Sequence, residues 1–382
     1  MSRRAALFAL VAITALGMAP LVSQKPTPVW TLTEDLRIGG ATDGPTDFVD
    51  VRGLALTRHG NIFVLDYSTQ ELRVFDSAGT FARRAARRGA GPGELSDANG
   101  IAIGDDDVVW ASDHANSRFS LYRADGHYLR QVLIPITSYG YIWPGSVVGP
   151  DRIVDNAADV ATGKLDPLNG GAVRESRLRH IYLDGHADTT AFPVCPPKAA
   201  VSGDVVYGKV KGSRAYMSLP FLAYMQYALT RQNTVWCTPS DEYRLLYGTV
   251  GGVLREVVHR SGPPVRVSDA ERSAAMHRID SMGARFGPLL SGDLSATPRV
   301  KPVIAALFTD DQGRAWVRRT AVDSMAPDFE VYDGSGRQVA EVHANGRVGS
   351  QVFVAGDALL TVITDDDDLP WVVRYRIGKH PR

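Results

Sequence analysis

A short pattern recurs six times along this chain. An aromatic residue ends a β-rich run, and a glycine follows three or four positions later, in the pairs Phe75/Gly79, Tyr122/Gly126, Tyr182/Gly185, Tyr247/Gly251, Tyr332/Gly336 and Tyr375/Gly378. Glycine shortly after a strand is typical of a tight hairpin turn, so a recurring pair marks a recurring structural unit. Six such units predict an all-β fold, a six-bladed β-propeller with four strands in each blade.

The first two units align in a single register. Gly53 matches Gly100 and Asp66 matches Asp113, which places the units 47 residues apart. Within the first unit, short apolar runs separated by polar turns predict four strands. We expect these strands at residues 53–57, 62–65, 71–75 and 80–85.

The remaining units are less regular. We expect them at about 142–192, 219–267, 303–348 and from 351 onward, with an insertion in the third unit near 163–174. The sixth unit stops at its third strand, whereas residues 29–37, before the first unit, form an unassigned strand. We expect this segment to complete the last blade, because closure removes the exposed sheet edge between the first and last blades.

One segment departs from the β pattern. Residues 268–290 predict a helix that begins at Ser268, since Ser268 and Glu271 have the spacing of a capping box. An apolar face follows at helical spacing, formed by Met276, Ile279, Met282 and Phe286. This insertion between units four and five could pack on the rim of a blade, or it could cap one mouth of the channel.

The N-terminus has the features of a targeting segment. Arg3 and Arg4 precede an apolar run that ends before Gln24. We interpret residues 1–24 as a signal peptide, with an uncleaved membrane anchor as the alternative, and residues 25–382 as a single propeller domain. The expected location is the periplasm or the extracellular space.

The charge balance excludes some classes of partner. Lys plus Arg and Asp plus Glu both number 42, so no net charge attracts nucleic acid or an anionic membrane. Contact with a membrane is expected only through an uncleaved N-terminal segment. We expect a monomer, and we interpret the acidic turn Asp105–Asp107 as solvated.

Two cysteines are present, Cys195 and Cys237. They fall in consecutive units, and export would permit a disulfide between them. Two separate buried thiols are the alternative.

Two stretches resemble a known family. Residues 60–66, 72–76 and Gly79 resemble the NHL repeat, and Arg88–Leu95 (RGAGPGEL) is similar to the blade-linking stretch of exported bacterial NHL-like six-bladed propellers. The resemblance covers nearly the whole mature chain and is strongest in units one and two. It implies the fold but no single activity, because propellers of this kind include binding scaffolds, lactonases and lyases.

Acidic loops are the first candidate site. Asp66, Asp113 and the run Asp365–Asp368 follow the second strand of their units, so these loops should emerge on one face. Converging carboxylates could bind Ca²⁺, with Asp365 and Asp367 as metal ligands and Asp366 beside them. The alternatives are that Asp66 and Asp113 brace their own loops and that the run 365–368 is solvated.

Aromatic clusters are the second candidate. One, around Trp143, precedes unit three and could bind a ligand at the channel face. Packing between blades is the alternative for Trp143. It is also the alternative for a second cluster before unit four, which comprises Tyr216, Met217, Phe221, Tyr224, Met225 and Tyr227.

Motifs for catalysis do not appear in the sequence. It contains no G-x-S-x-G, H-E-x-x-H or C-x-x-C. The leading hypothesis is therefore an exported binding propeller without a cofactor, whose ligand is a protein, a peptide or a glycan. The alternative is a Ca²⁺-dependent lactonase, since gluconolactonase-like and paraoxonase-like propellers hold Ca²⁺ in the channel, although their ligand set cannot be matched here. An NHL-like lyase would require clustered histidines, which the sequence does not suggest.

Overall fold

The computed structural model describes residues 26–136, 142–143, 145–149, 151–165, 172–188, 190–196, 204–208, 214–320 and 328–380. The predicted signal peptide at 1–24 lies outside these residues. Within the described part, antiparallel sheets of four strands follow one another in sequence order. No described helix is long and apolar enough to cross a bilayer.

The first three blades follow the N-terminal strand β1 (Val29–Gly39). Their strands are β2 (Val51–Leu56), β3 (Ile62–Asp66), β4 (Glu71–Phe75), β5 (Phe81–Ala86), β6 (Ala98–Ile103), β7 (Val109–Asp113), β8 (Arg118–Tyr122), β9 (Tyr128–Leu133), β10 (Ser146–Val148), β11 (Arg152–Leu165), β12 (Ala172–Tyr182) and β13 (Phe192–Pro193). The strands predicted for the first unit are confirmed to within two residues at each bound. Of the insertion predicted in the third unit near 163–174, the described residues lie at the end of β11 and the start of β12, and residues 166–171 lie outside the described part.

The second half of the chain contains the fourth to sixth blades and an additional small sheet. Its elements are β14 (Asp204–Gly208), β15 (Arg214–Ser218), β16 (Met225–Leu229), β17 (Thr234–Pro239), β18 (Tyr243–Thr249), β19 (Arg255–Arg260), helix α1 (Asp269–Phe286), β20 (Leu289–Ser291), a 3₁₀ turn (Leu294–Ala296), β21 (Ile304–Thr309), β22 (Ala315–Arg319), β23 (Phe329–Tyr332), β24 (Gln338–Ala344), β25 (Val352–Ala355), β26 (Ala358–Thr364) and β27 (Pro370–His380). Blade four is β16–β19, blade five is β21–β24, and β25–β27 begin blade six.

The N-terminal strand completes the sixth blade, as the sequence predicted. β1 pairs antiparallel with β27 along its whole length, from Val29 opposite His380 to Gly39 opposite Trp371. The start of β1 also pairs in parallel with β24, which joins blades five and six into one sheet. First strands contact each other between blades one and two, two and three, four and five, and five and six, and β25 contacts β2. Blades three and four share a buried cluster that includes Val154, Leu178 and Val235, so the ring is closed.

The recurring glycines occupy the turns between third and fourth strands, with one exception. Gly79, Gly126, Gly185, Gly251 and Gly336 have φ between +76° and +89°, a conformation that other residues adopt at a cost. The expected sixth turn at Gly378 is wrong. This glycine pairs with Thr31 inside the β27–β1 ladder, because β27 continues past the point where the other third strands end.

Glycines in the first strands allow neighbouring blades to approach closely. A Cβ at Gly53 would lie 2.7 Å from Cγ1 of Ile101, and a Cβ at Gly100 would lie 2.9 Å from Cβ of Trp143. Each residue contacted belongs to the next blade or to the segment that leads into it. The match of Gly53 with Gly100 in the sequence therefore reflects one packing contact, repeated between blades one and two and between blades two and three.

Helix α1 begins at Ser268 with the predicted capping box and ends before Gly287. It packs on β14 of the additional sheet, whose strand order is β15-β14-β20, and Ile279 of the helix lies in one buried cluster with Tyr207 and Leu219. The additional sheet was not predicted from the sequence. Its strands come from before and after blade four, and the helix rests on this sheet.

A disulfide joins Cys195 and Cys237. Cys195 follows the last strand of blade three, and Cys237 is buried in the second strand of blade four. Of the two possibilities left open by the sequence, the structure has the bonded form, and the bond fastens blade three to blade four.

We expect replacement of both cysteines, Cys195→Ala with Cys237→Ala, to lower the free energy of unfolding by about 4 kcal/mol, because the bond closes a long loop in the unfolded chain. The sequence separation is 42 residues. Denaturant unfolding with and without a reductant measures the effect. Reductant should destabilise the native protein and leave the double variant unchanged. Equal sensitivity of both proteins to the reductant would contradict the presence of the disulfide.

We expect Leu32→Ala in β1 to lower the free energy of unfolding by about 3 kcal/mol, since Leu32 is fully buried and its removal leaves a cavity. Thr33→Ala in the same strand is the matched control, because Thr33 is exposed. Urea titration of both variants tests the importance of ring closure. Equal stability of the two variants would mean that β1 adds little to the fold.

Candidate functional site

A central channel is the candidate functional site. Its cavity of about 400 Å³ is lined by residues from the first strands of all six blades or from the segments just before or after them. Most of the wall is apolar and includes Leu54, Ile101, Ile103, Ile142, Tyr227, Leu229, Leu307, Val352 and Phe353. Small residues in these strands, such as Ala102 and Ala228, leave the space open. Pockets of this size and composition are typical of small-molecule sites.

Arg52 lies where the first strand of blade one begins. Its guanidinium lies over the ring of Tyr67, 3.4 Å from the ring centroid. Nε and Nη2 donate to Oδ2 of Asp50 at 3.0 and 2.8 Å. The stacking and the ion pair fix the side chain at the channel wall, so a cation stands at this end.

A second cavity of about 420 Å³ lies at the other end, among the turns between first and second strands. Its wall carries charges of both signs and includes Arg58, Asp107, Arg231, Asp311 and Asp357. Arg231 and Asp311 line both cavities, so they mark the place where the channel opens into its mouth.

Two ion pairs connect blades across this mouth. Asp107 of blade two accepts hydrogen bonds from the backbone N and the Nε of Arg58 at 3.1 and 3.2 Å. The expectation that the turn Asp105–Asp107 is solvated is wrong for Asp107, which is buried by this contact. Asp105 is exposed and pairs at 3.2 Å with Nη1 of Arg231, which belongs to blade four.

Asp66 and Asp113 are fully buried at the ends of their second strands. Asp66 accepts hydrogen bonds from the backbone amides of Val49, Asp50, Ser68 and Thr69 at 2.9 to 3.4 Å. Asp113 accepts from the amides of Ser96, Asp97 and Asn116, and from Nδ2 of Asn116, at 2.7 to 3.4 Å. This geometry agrees with the bracing interpretation, while ligand binding by either carboxylate stays a prediction.

Asp365 organises its own loop. Its Oδ1 accepts from the amides of Asp367 and Leu369 at 3.0 and 2.9 Å, and its Oδ2 accepts from Nε1 of Trp371 at 2.7 Å. These hydrogen bonds, that of Trp371 first, lower the pKa of Asp365 below its usual value. The carboxyl groups of Asp366 and Asp367 are on exposed residues of the same loop.

Trp143 lines the channel and is also packed into the core. It is 4% exposed, its ring lies 5.3 Å from that of Phe119, and its Nε1 donates to Oδ1 of Asp155 at 2.8 Å. Burial raises the pKa of Asp155 despite this bond and the contact with Arg179. The ring is thereby held in place as part of the channel wall.

The predicted site residues therefore do not form one cluster. Asp66, Asp113 and Asp365 each bond within their own blade or the segment leading into it, and Trp143 lines the channel. No group of three or more His, Cys, Asp and Glu among the described residues is arranged to hold a metal ion. The sequence pattern missed Arg52, Arg231 and Asp311. These residues lie just inside or just beyond the first strands of their blades, and this position in the repeat was the sequence signal that could have identified them as channel-lining residues.

Comparisons with known proteins agree with this architecture. A family model described as DUF5128, 6-bladed beta-propeller, matches residues 47–142, which span the first two blades. No curated protein sequence matches the chain. The sheet topology and this match together make the chain a six-bladed β-propeller, the fold that the sequence predicted.

Several solved structures are similar at low identity. A member of the DUF4221 family from Bacteroides vulgatus has 12% identity and a TM-score of 0.49, covering 92% of this chain and 99% of that chain. A gluconolactonase from Xanthomonas campestris has 13% identity and a TM-score of 0.41, covering 86% and 87%. A calcium-binding regucalcin from Agrobacterium tumefaciens has 12% identity and a TM-score of 0.43, covering 92% and 97%.

We expect Asp365→Asn to lower the melting temperature at pH 7, because the charged carboxylate is the better acceptor for Trp371. The folded-state pKa is lowered, so the stabilisation is present above the unfolded pKa of about 3.9 and is lost as the pH falls below it. Melting curves between pH 7 and pH 2.5 should therefore converge for variant and native protein.

Asp366→Asn is the control and should leave the curves unchanged, since Asp366 is exposed. Melting curves of the same proteins with added Ca²⁺ test the hypothesis that this loop binds a metal ion. A Ca²⁺-dependent rise in melting temperature that disappears in Asp365→Asn would contradict a purely loop-bracing role.

Proposed function

We propose that this propeller is a non-catalytic binding protein whose ligand lies in the central channel. The observation that carries the proposal is the channel itself, to which all six blades contribute and whose wall is mainly apolar with charged groups near its ends. Apolar walls with a few fixed polar groups favour binding, because the walls supply affinity and the polar groups orient the ligand.

The size of the cavity favours a small ligand. About 400 Å³ accommodates a short peptide or a small glycan but not a folded domain. Of the two, we favour a peptide, since Leu54, Leu307 and Phe353 offer apolar contacts to its side chains. We further propose that the protein works outside the cytoplasm, which is consistent with the N-terminal apolar run and with the disulfide.

The alternative, a calcium-dependent hydrolase, requires several oxygen ligands around one ion. The carboxylates of Asp66, Asp113 and Asp365 are instead engaged by the amides of their own blades or of the segments that lead into them. This arrangement supports binding over calcium-dependent hydrolysis.

We expect Ala228→Trp to abolish ligand binding, because an indole at this channel-lining position fills the cavity. The measurement is a thermal-shift screen of the native protein with short peptides, oligosaccharides and Ca²⁺, followed by calorimetry on every compound that raises the melting temperature. Val253→Trp is the control, since Val253 is 93% exposed and away from the channel.

Retention of binding by Ala228→Trp, in a protein that still melts cooperatively, would contradict a channel site. A shift caused by Ca²⁺ together with lactone or ester turnover would contradict a purely binding role and would favour the hydrolase.

A further inference from the structure

Building on the proposed channel site, we propose that the ligand is a peptide of two to four residues with both ends free. Its terminal carboxylate meets Arg52, and its terminal ammonium meets Asp311. The inference rests on two charged side chains of opposite sign that line the channel, each with one buried atom that has no hydrogen-bond partner among the residues that the structure describes.

Arg52 supplies the unfilled donor. Nε and Nη2 are taken by Asp50, whereas Nη1 is buried without a hydrogen-bond partner among the described residues. A buried group of this kind destabilises the protein unless something binds it, and a charged group does so most. Asp50 occupies the Nε–Nη2 edge of the guanidinium, so Nη1 is the nitrogen left for a partner from the cavity that this side chain lines. A carboxylate is its natural partner, since it offers two acceptor oxygens.

Asp311 supplies the unfilled acceptor. Its Oδ2 accepts from the amide of Gly356 at 2.9 Å, whereas its Oδ1 is buried and unpartnered in the part of the chain that is described. The side chain lines both the channel and the mouth. An ammonium group has three donors and a full positive charge, so it would satisfy this oxygen.

The register of the strands sets the length of the ligand. Gln351 donates to the carbonyl oxygen of Val51, which places it at the level of Arg52, and Asp310 bridges to Val354 three residues further along β25. At about 3.3 Å per residue, Arg52 and Asp311 are roughly 10–15 Å apart along the channel. An extended peptide covers about 3.3–3.6 Å per residue, so two to four residues fit once both hydrogen bonds are included.

Apolar side chains form part of the wall between the two charges. Leu54, Ile101, Leu307 and Phe353 line this stretch, so a central apolar side chain gains burial there while the ends keep their charges. Arg231 also lines the channel near Asp311, but it is paired with Asp105. The opposite orientation would place the ligand carboxylate at Asp311 and the ammonium at Arg52, and both contacts would be repulsive.

The experiment uses calorimetry with the full chain and three probes: Ala-Leu-Ala, its N-acetyl form and its C-terminal amide. We expect the free peptide to bind, and each blocked form to bind at least about tenfold more weakly, because each blocked end loses a charge-assisted hydrogen bond. Peptides of six or more residues should bind more weakly than the tripeptide.

Two variants assign the ends. In Arg52→Gln, the free peptide and its C-terminal amide should bind with equal affinity, while the N-acetyl form should still bind more weakly than the free peptide. In Asp311→Asn, the free peptide and its N-acetyl form should bind with equal affinity, while the C-terminal amide should still bind more weakly than the free peptide. Arg337→Gln and Asp184→Asn are controls on exposed turn residues. In both controls, each blocked peptide should still bind more weakly than the free peptide.

The outcomes separate the inference from the proposed function. The peptide assignment would be overturned if the native protein bound free and blocked peptides with equal affinity. It would also be overturned if both blocked peptides still bound more weakly than the free peptide in both variants. If a glycan binds and Ala228→Trp abolishes that binding, the channel site stands and the peptide inference fails. If no compound binds in a way that Ala228→Trp affects, both fail.

Discussion

Pairing between the N-terminal strand and the last strand holds the ring together, and every other feature depends on it. The ladder from Val29–His380 to Gly39–Trp371 joins segments at opposite ends of the chain. Arg374 of β27 reinforces it by bonding both carboxylate oxygens of Asp35 at 2.9 and 3.1 Å. Only a closed ring brings β25 beside β2, so the channel wall exists only after the chain ends have met.

Structural and candidate functional residues are coupled through the buried aspartates. Asp66 accepts from the amide of Asp50, and the carboxylate of Asp50 holds Arg52. Tyr67, which follows Asp66, donates its amide to the carbonyl oxygen of Asp50 and places its ring against the Arg52 guanidinium. A residue that braces its own loop thus also determines where a cation stands in the channel. The sequence pattern placed Asp66 at the end of its second strand but could not distinguish these two consequences.

The sequence predicted what is local and missed what is remote. Hairpin strands, turn glycines and the capping box of Ser268 involve residues within a few positions of each other, and their patterns were sufficient. The additional sheet pairs Val206 with Ser291, a contact between segments on either side of blade four that no local pattern contains. Gly378 was misassigned for the same reason, since its partner Thr31 lies at the other end of the chain. Arg52 and Asp311 lie in different blades and line one cavity only because the ring brings these blades together.

The arrangement of charge in the channel constrains recognition more than its net charge does. Arg52 and Asp311 line the same cavity near its opposite ends, so a ligand of single charge can pair with only one of them. Arg231 and Asp310 also line the cavity, but they are paired with Asp105 and Arg314. Nη1 of Arg52 and Oδ1 of Asp311 are buried without partners among the described residues, so a ligand with both charges would gain a hydrogen bond at each end. The apolar wall between them discriminates little among side chains of similar size. Selectivity should therefore come from the length and direction of the ligand, a property that no single blade encodes and that only the closed ring provides.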